Sequence, residues 1–130
     1  MGRFLPPDHS KGDEKTIGGY MAVHGRPAAF EGSDGMSYSV AIETDATGEA
    51  RRPWGAFFLF LRWRRMGSQA IESHLESEFL AFGSSREEAR QALGAMPLSE
   101  VQAVLEDLIR AQGAATRRWW DVMRDDSEDA

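Results

Sequence analysis

The spacing of apolar residues divides the chain into a strand-like first half and a helical second half. Residues 1–15 carry Pro6-Pro7 and then a polar stretch, Asp8 to Lys15, with no apolar period, which predicts an extended arm. Ile17, Gly19, Met21 and Val23 alternate with Gly18, Tyr20, Ala22 and His24, predicting a strand that stops at Gly25. Pro27 to Glu31 reads as a short extended piece. Gly32-Ser33-Asp34-Gly35 reads as a turn, because Gly and Asp tolerate the positive φ that tight turns need. Met36, Tyr38, Val40 and Ile42 then alternate with polar or small residues in the cleanest half-buried strand pattern of the chain. Thr44 to Pro53 is a polar loop.

The stretch from Trp54 to Arg65 is apolar on both sides. One side carries Phe57, Leu59, Leu61 and Trp63. The other carries Trp54, Ala56, Phe58 and Phe60, then turns basic at Arg62 and Arg64. Such a strand is expected at the centre of a sheet, covered on both faces over its first half. After a turn at Met66-Gly67-Ser68, a long strand from Gln69 to Phe82 is predicted, with Ile71, Leu75 and Phe79 on one face and Glu72, His74, Glu76 and Glu78 on the other. Matching the apolar faces requires even-numbered residues opposite even-numbered ones. A three-residue loop then sets Arg62 opposite Glu72 and Phe60 opposite His74. A five-residue loop sets Arg64 opposite Glu72 and Arg62 opposite His74. Either makes a mixed-charge patch.

Helical spacing takes over at Ser85-Arg86-Glu87-Glu88, a capping box. Ala89, Ala92, Leu93 and Met96 follow at helical intervals, and Gly94 and Pro97 end the segment. A second helix begins near Leu98, with Val101, Val104, Leu105, Leu108 and Ile109 as its apolar stripe, Glu106 and Arg110 as an i,i+4 pair, and Gly113 as its stop. Ala114 to Arg124 is expected to form a further short helix. The fold class is α+β: an antiparallel sheet of four to five strands, followed by two or three C-terminal helices packed on one face. The expected core is Phe57, Leu59, Leu61, Leu75, Phe79, Val101, Leu105 and Leu108. The expected organisation is an arm (1–15), one α+β domain (16–124) and an acidic tail (125–130).

Composition narrows the function more than the fold. The chain has 130 residues, 15 Lys+Arg against 21 Asp+Glu, a net charge of -6 and no cysteine. One domain of this size buries a core without staples. The missing cysteine excludes disulfides, thiol nucleophiles and cysteine-held clusters. The acidic balance argues against nonspecific nucleic-acid binding. No apolar run approaches the roughly 20 residues of a bilayer span, and neither a secretory leader nor a myristoylation pattern is visible, so a cytoplasmic protein is expected.

Glu72, His74 and Glu76 form the strongest enzyme-like group. Alternate strand residues stand about 6.5–7 Å apart, near the separation of two carboxylates cooperating around a water, and a histidine between them could move a proton. The ordinary reading is a solvated strand face, so these side chains are expected to be exposed and non-catalytic. His9 and His24 have no ligand spacing, and neither a metal nor a cofactor is expected. Gly18-Gly19 lacks phosphate-loop spacing and reads as a close backbone approach. Asp45-Ala46-Thr47-Gly48-Glu49 lacks a full calcium-ligand pattern.

Two aromatic–arginine groups point to binding instead. Trp54, Arg62, Trp63, Arg64 and Arg65 are predicted to gather on one hairpin. Arg117, Arg118, Trp119, Trp120 and Arg124 gather towards the C-terminus. Trp and Arg dominate binding hot spots, and they also suit a membrane–water interface. The expected function is therefore a non-catalytic accessory subunit that docks through these surfaces and its arms onto a larger assembly. That assembly could be a membrane-bound photosynthetic or respiratory complex, approached from its cytoplasmic face. Peripheral membrane contact and homo-oligomerisation are both compatible with this reading. The alternative is a small enzyme or ligand-binding domain using Glu72, His74 and Glu76. The eight residues Phe82 to Ala89 are similar to the strand-to-helix junction of HicB-like antitoxin domains, a resemblance that implies a third reading, a regulatory antitoxin-like module.

Overall fold

A computed structural model describes residues 7–63 and 71–128; the side chains of 71, 72, 116, 119–121 and 124–128 lie outside that description. The order of elements is α1 (Ile17–His24), β1 (Ala29–Glu31), β2 (Ser37–Ala46), β3 (Trp54–Trp63), β4 (Ile71–Glu76), β5 (Ala81–Gly83), α2 (Arg86–Gly94) and α3 (Leu98–Glu128), with a single 3-10 turn at His9–Lys11 ahead of them. The class is α+β, as the residue pattern predicts. The sheet is antiparallel in the order β1-β2-β3-β4, with β5 also on β3. β2 pairs with all of β3, from Ser37 opposite Trp63 to Ala46 opposite Trp54, so β4 and β5 share the other edge of β3.

The segment from Ile17 to His24 is a helix, not the expected strand. Ile17, Tyr20 and Met21 fit helical i, i+3, i+4 spacing as well as alternation, and the ends decide between the two. The Thr16 hydroxyl accepts the Gly19 N–H at 3.0 Å as N-cap. Gly25, at φ 63, closes the helix by donating to the Met21 carbonyl at 2.8 Å. The first residue of α1 and the segment before it meet the α2–α3 junction: the Ile17 N–H donates to the Met96 carbonyl and the Lys15 carbonyl accepts the Leu98 N–H. Gly18 is needed here, since a Cβ on it would lie 3.0 Å from the Gly94 Cα.

The core lies on one face of the sheet. Tyr38, Val40, Ala56, Phe58, Phe60 and Leu75 pack there against Ile17 of α1, Ala89 and Leu93 of α2, and Val101 and Leu105 of α3. This reverses the expected side of β3. Both of its faces are apolar, so its own pattern cannot choose. The choice comes from β2 and β4, whose single apolar faces register Val40 and Leu75 against Phe60. Phe57, Leu59, Leu61 and Phe79 therefore leave the expected core, while Leu75, Val101, Leu105 and Leu108 belong to it.

The even-to-even register is also overturned. Leu61 stands opposite His74 and Arg62 opposite Ser73, but Trp63 stands opposite Ile71. The Trp63–Ile71 pair follows the parity of the expected three-residue loop; an irregularity between Arg62 and Trp63 then shifts β4 by one residue and exchanges its faces. The predicted long strand breaks in the middle. From the Leu59–Glu76 pair to the Ala56–Ala81 pair, three steps of β3 meet five of the outer strand, an excess of two. Ser77 spans the break, donating its N–H to the Phe58 carbonyl at 3.0 Å and accepting the Phe58 N–H on its hydroxyl at 2.9 Å.

The helix α3 passes through Gly113 without stopping. An isolated glycine costs a helix only about 1 kcal/mol, and Ala111, Ala114 and Ala115 are strong helix formers around it. The predicted pair of Glu106 with Arg110 does not form: Arg110 pairs with Asp107 at 3.1 Å, and Glu106 accepts the Ser33 N–H at 3.0 Å.

Candidate functional site

Because α1, α2 and α3 all contribute to the core on one side, the other face of the sheet has no layer over it among the described residues. Direct partners in an antiparallel sheet share a face. The register therefore places Phe57, Leu59, Leu61 and Trp63 in one row on this open face, opposite Glu43, Ala41, Ser39 and Ser37 of β2. All four of the row are half-buried by their neighbours only. An antiparallel sheet facing water ordinarily alternates to polar side chains here; β3 presents two aromatics and two leucines.

Aromatic packing continues the row towards β5. The Phe79 ring lies directly on Gly55, where any side chain would collide with it, and its centroid is 6.0 Å from both Phe57 and Phe82. The Arg52 guanidinium covers Phe82 at 3.8 Å and is paired with Glu49 at 3.0 Å. At the other end, the Trp63 indole donates to the Ser39 hydroxyl at 3.1 Å. The rim is acidic. A shallow cavity of about 310 Å³ lies between Asp45, Phe57, Glu76, Glu78 and Phe79.

His74 and Glu76 stand on this face opposite Leu61 and Leu59, 3.7 Å apart and exposed at 60% and 57%. Glu72 lies at the irregularity of β4, and its side chain is outside the described residues. In the register Arg62 stands opposite Ser73 rather than Glu72 or His74, and it projects from the core-facing side of the sheet. There its guanidinium lies 3.8 Å from Asp34. Asp34 also accepts the Tyr38 hydroxyl at 2.6 Å and the Met36 N–H at 3.0 Å. Arg62 is thus part of a structural cluster that ties the β1–β2 turn to β3.

The hairpin residues predicted as one docking group are divided. Trp54 and Trp63 are at opposite ends of β3 and on opposite faces. Trp54 packs against the core edge, with the Arg86 guanidinium 4.5 Å over its ring. Arg64 and Arg65 lie outside the described residues. On α3, Arg117 and Arg118 are exposed, as are Val122 at 60% and Met123 at 47%; the side chains of Trp119, Trp120 and Arg124 are not described.

Sequence reasoning missed two groupings. His24 meets Glu14 at 3.1 Å, and His9 meets the same carboxylate at 3.7 Å. The separation of these residues along the chain gave no sign of it, because the helical form of α1 is what brings them together. Among the described residues no group of three or more His, Asp or Glu is placed to hold a metal ion, and no helix is long and apolar enough to cross a membrane. The second miss is a groove of about 740 Å³ between α1, α2 and β2, where Gly12, Gly18 and Gly19 line one side and Lys11, Asp13 and Arg90 bring mixed charge.

The Phe82–Ala89 junction is a strand running into a capped helix. Ser85 accepts the Glu88 N–H at 3.1 Å, and Glu88 reaches back to Ser84 rather than to Ser85. No protein-family model, curated protein or solved structure matches this chain.

Proposed function

We propose that this chain is a non-catalytic docking subunit and that the open face of its sheet is the surface that receives a protein partner. The observation carrying this reading is the row Phe57, Leu59, Leu61 and Trp63, standing on the side of β3 that, among the described residues, no helix covers. A contiguous apolar surface of this kind marks an interaction site on a soluble domain. Its aromatic members supply large, rigid contact area, and the acidic rim selects and orients a basic partner. His74 and Glu76 stand exposed at 60% and 57% on the open face, which weighs against the enzyme reading.

The test uses the full chain expressed in its source cells. The native protein should migrate in a species larger than itself, and Leu61→Asp should release it as a smaller one. Migration at the same size for both forms contradicts the reading. A second site is favoured by Val122 and Met123, which stand exposed near Arg117 and Arg118 on α3. These residue types meet acyl chains and lipid phosphates, as contact with a membrane complex requires. Cosedimentation with anionic vesicles, lost in Arg117→Glu/Arg118→Glu, is the corresponding test.

A further inference from the structure

The outer edge of β2 is paired over only part of its length. β1 covers Ser37 to Ser39, and the Val40 N–H makes the last bond along it, to the Ala28 carbonyl at 3.1 Å. The covering strand ends there, because Pro27 has no N–H to continue the ladder. Alternate residues of an antiparallel strand aim their N–H and C=O groups at opposite neighbours. The Val40 bond fixes the phase: Val40, Ile42 and Thr44 point these groups outwards, while Ala41, Glu43 and Asp45 point theirs at β3. Among the described residues, no backbone or side-chain group takes up the outward groups of Ile42 and Thr44. The Ala46 N–H is taken by the Asp45 carboxylate at 2.8 Å, which closes the free stretch. This free edge opens into the groove of about 740 Å³ between α1, α2 and β2. Val40, Ala41 and Ile42 line one side of it, and Gly18, Gly19 and Gly94 leave room beside them.

We propose that this edge takes up an extended peptide from a partner protein, which pairs antiparallel with Ile42 and Thr44 as an added strand. The site goes beyond the open-face reading and does not depend on it. Two peptide residues exchange backbone hydrogen bonds with Ile42 and Thr44. Their side chains enter the groove, because direct partners share a face and Ile42 packs on the core side. The residue between them stands opposite Glu43, which is exposed on the other face. Apolar side chains therefore suit the two groove positions, and Lys or Arg suits the one between. Charge decides against a second copy of this chain. Pairing two β2 edges so that Ile42 of each meets Thr44 of the other sets Glu43 directly opposite Glu43, a destabilising like-charge pair. The carboxylate that blocks self-pairing is the one that selects a basic partner.

The probe is the capped peptide acetyl-Ser-Val-Lys-Val-Ser-amide, titrated into the isotope-labelled full chain and followed through its backbone amide resonances. Saturable shifts centred on Ile42 and Thr44 are expected. N-methylation of both probe valines removes the backbone donors but keeps the side chains, and should weaken binding at least about tenfold. Glutamate in place of the probe lysine should also weaken binding, and Glu43→Lys should reverse that preference. Thr44→Pro deletes only the outward N–H, a change that strand edges tolerate, and should weaken binding of the lysine probe. Circular dichroism checks its fold, and Glu43→Lys, at an exposed position, carries the test if Thr44→Pro unfolds. Equal affinity for the N-methylated probe, or no shifts with any probe up to about 1 mM, overturns strand addition. Equal affinity for the lysine and glutamate probes overturns the basic partner. Shifts confined to Phe57, Leu59 and Leu61 overturn the edge site and leave the open-face reading standing. Shifts at Ile42 and Thr44 that grow with the chain's own concentration, without probe, overturn the peptide in favour of a second copy.

Discussion

Tyr38 donates its hydroxyl to the Asp34 carboxylate at 2.6 Å, and this bond fastens the β1–β2 turn to the core face of the sheet. The Tyr38 ring is fully buried, while its hydroxyl reaches the turn where Asp34 also faces Arg62. Gly32 gives room for the arrangement, since a Cβ there would lie 2.8 Å from both Tyr38 and Ile109. Asp34→Ala leaves the buried hydroxyl without its acceptor, and should cost about 1–3 kcal/mol in denaturant unfolding. Tyr38→Phe removes donor and desolvation penalty together, and should cost less, about 0.5–1.5 kcal/mol. Equal losses would show that the hydroxyl has another acceptor.

The same groups predict the shape of the pH profile. Burial, and then the Asp34 carboxylate, push the Tyr38 phenol up to about 12. A raised value means that the folded state holds the proton more tightly. That contribution is complete below the ordinary value near 10 and is lost as pH rises from there towards 12. Glu106 moves the other way, held below the ordinary carboxyl value chiefly by hydrogen bonding from Ser33. Its contribution is present above about 4.5 and is lost as pH falls through the lowered value. Unfolding midpoints measured across pH should fall at both ends. Tyr38→Phe should flatten the alkaline limb and Glu106→Gln should flatten part of the acid limb. Limbs unchanged in these variants would assign the titrations to other groups.

Gly113 offers a gain. It sits inside α3 without a positive φ, and a Cβ on it would meet only the Arg117 guanidinium at 3.7 Å. Gly113→Ala should therefore stabilise the chain by roughly 0.5–1 kcal/mol and raise its helical circular dichroism. Destabilisation would mean that the helix bends or ends at this residue.

Much of the fold is legible where a residue pattern is one-sided. Tyr38 and Val40 mark the buried face of β2 unambiguously, Ser85 caps α2 as its spacing predicts, and Val101 and Leu105 fall in the core as expected. The pattern fails where two structures satisfy it equally. Ile17 to His24 suits either a strand or a helix until Thr16 and Gly25 act as caps. β3 suits either facing until its neighbours register against it. The open face was hidden for the same reason: Phe57, Leu59 and Leu61 look like core, and only the position of the helices shows that they are not. Tryptophan and arginine content pointed towards binding, but it could not show that Trp54 and Trp63 lie on opposite faces.

The most direct measurement compares adjacent residues of β3 in dilute solution. Phe60 is fully buried and faces the helices; Leu61 faces outwards. Phe60→Asp places a charge in the core and should leave the chain unfolded, whereas Leu61→Asp should keep its unfolding free energy within about 1 kcal/mol of wild type. Unfolding by both substitutions would contradict the account, because it would make the odd-numbered side of β3 interior and remove the surface on which the proposed docking depends.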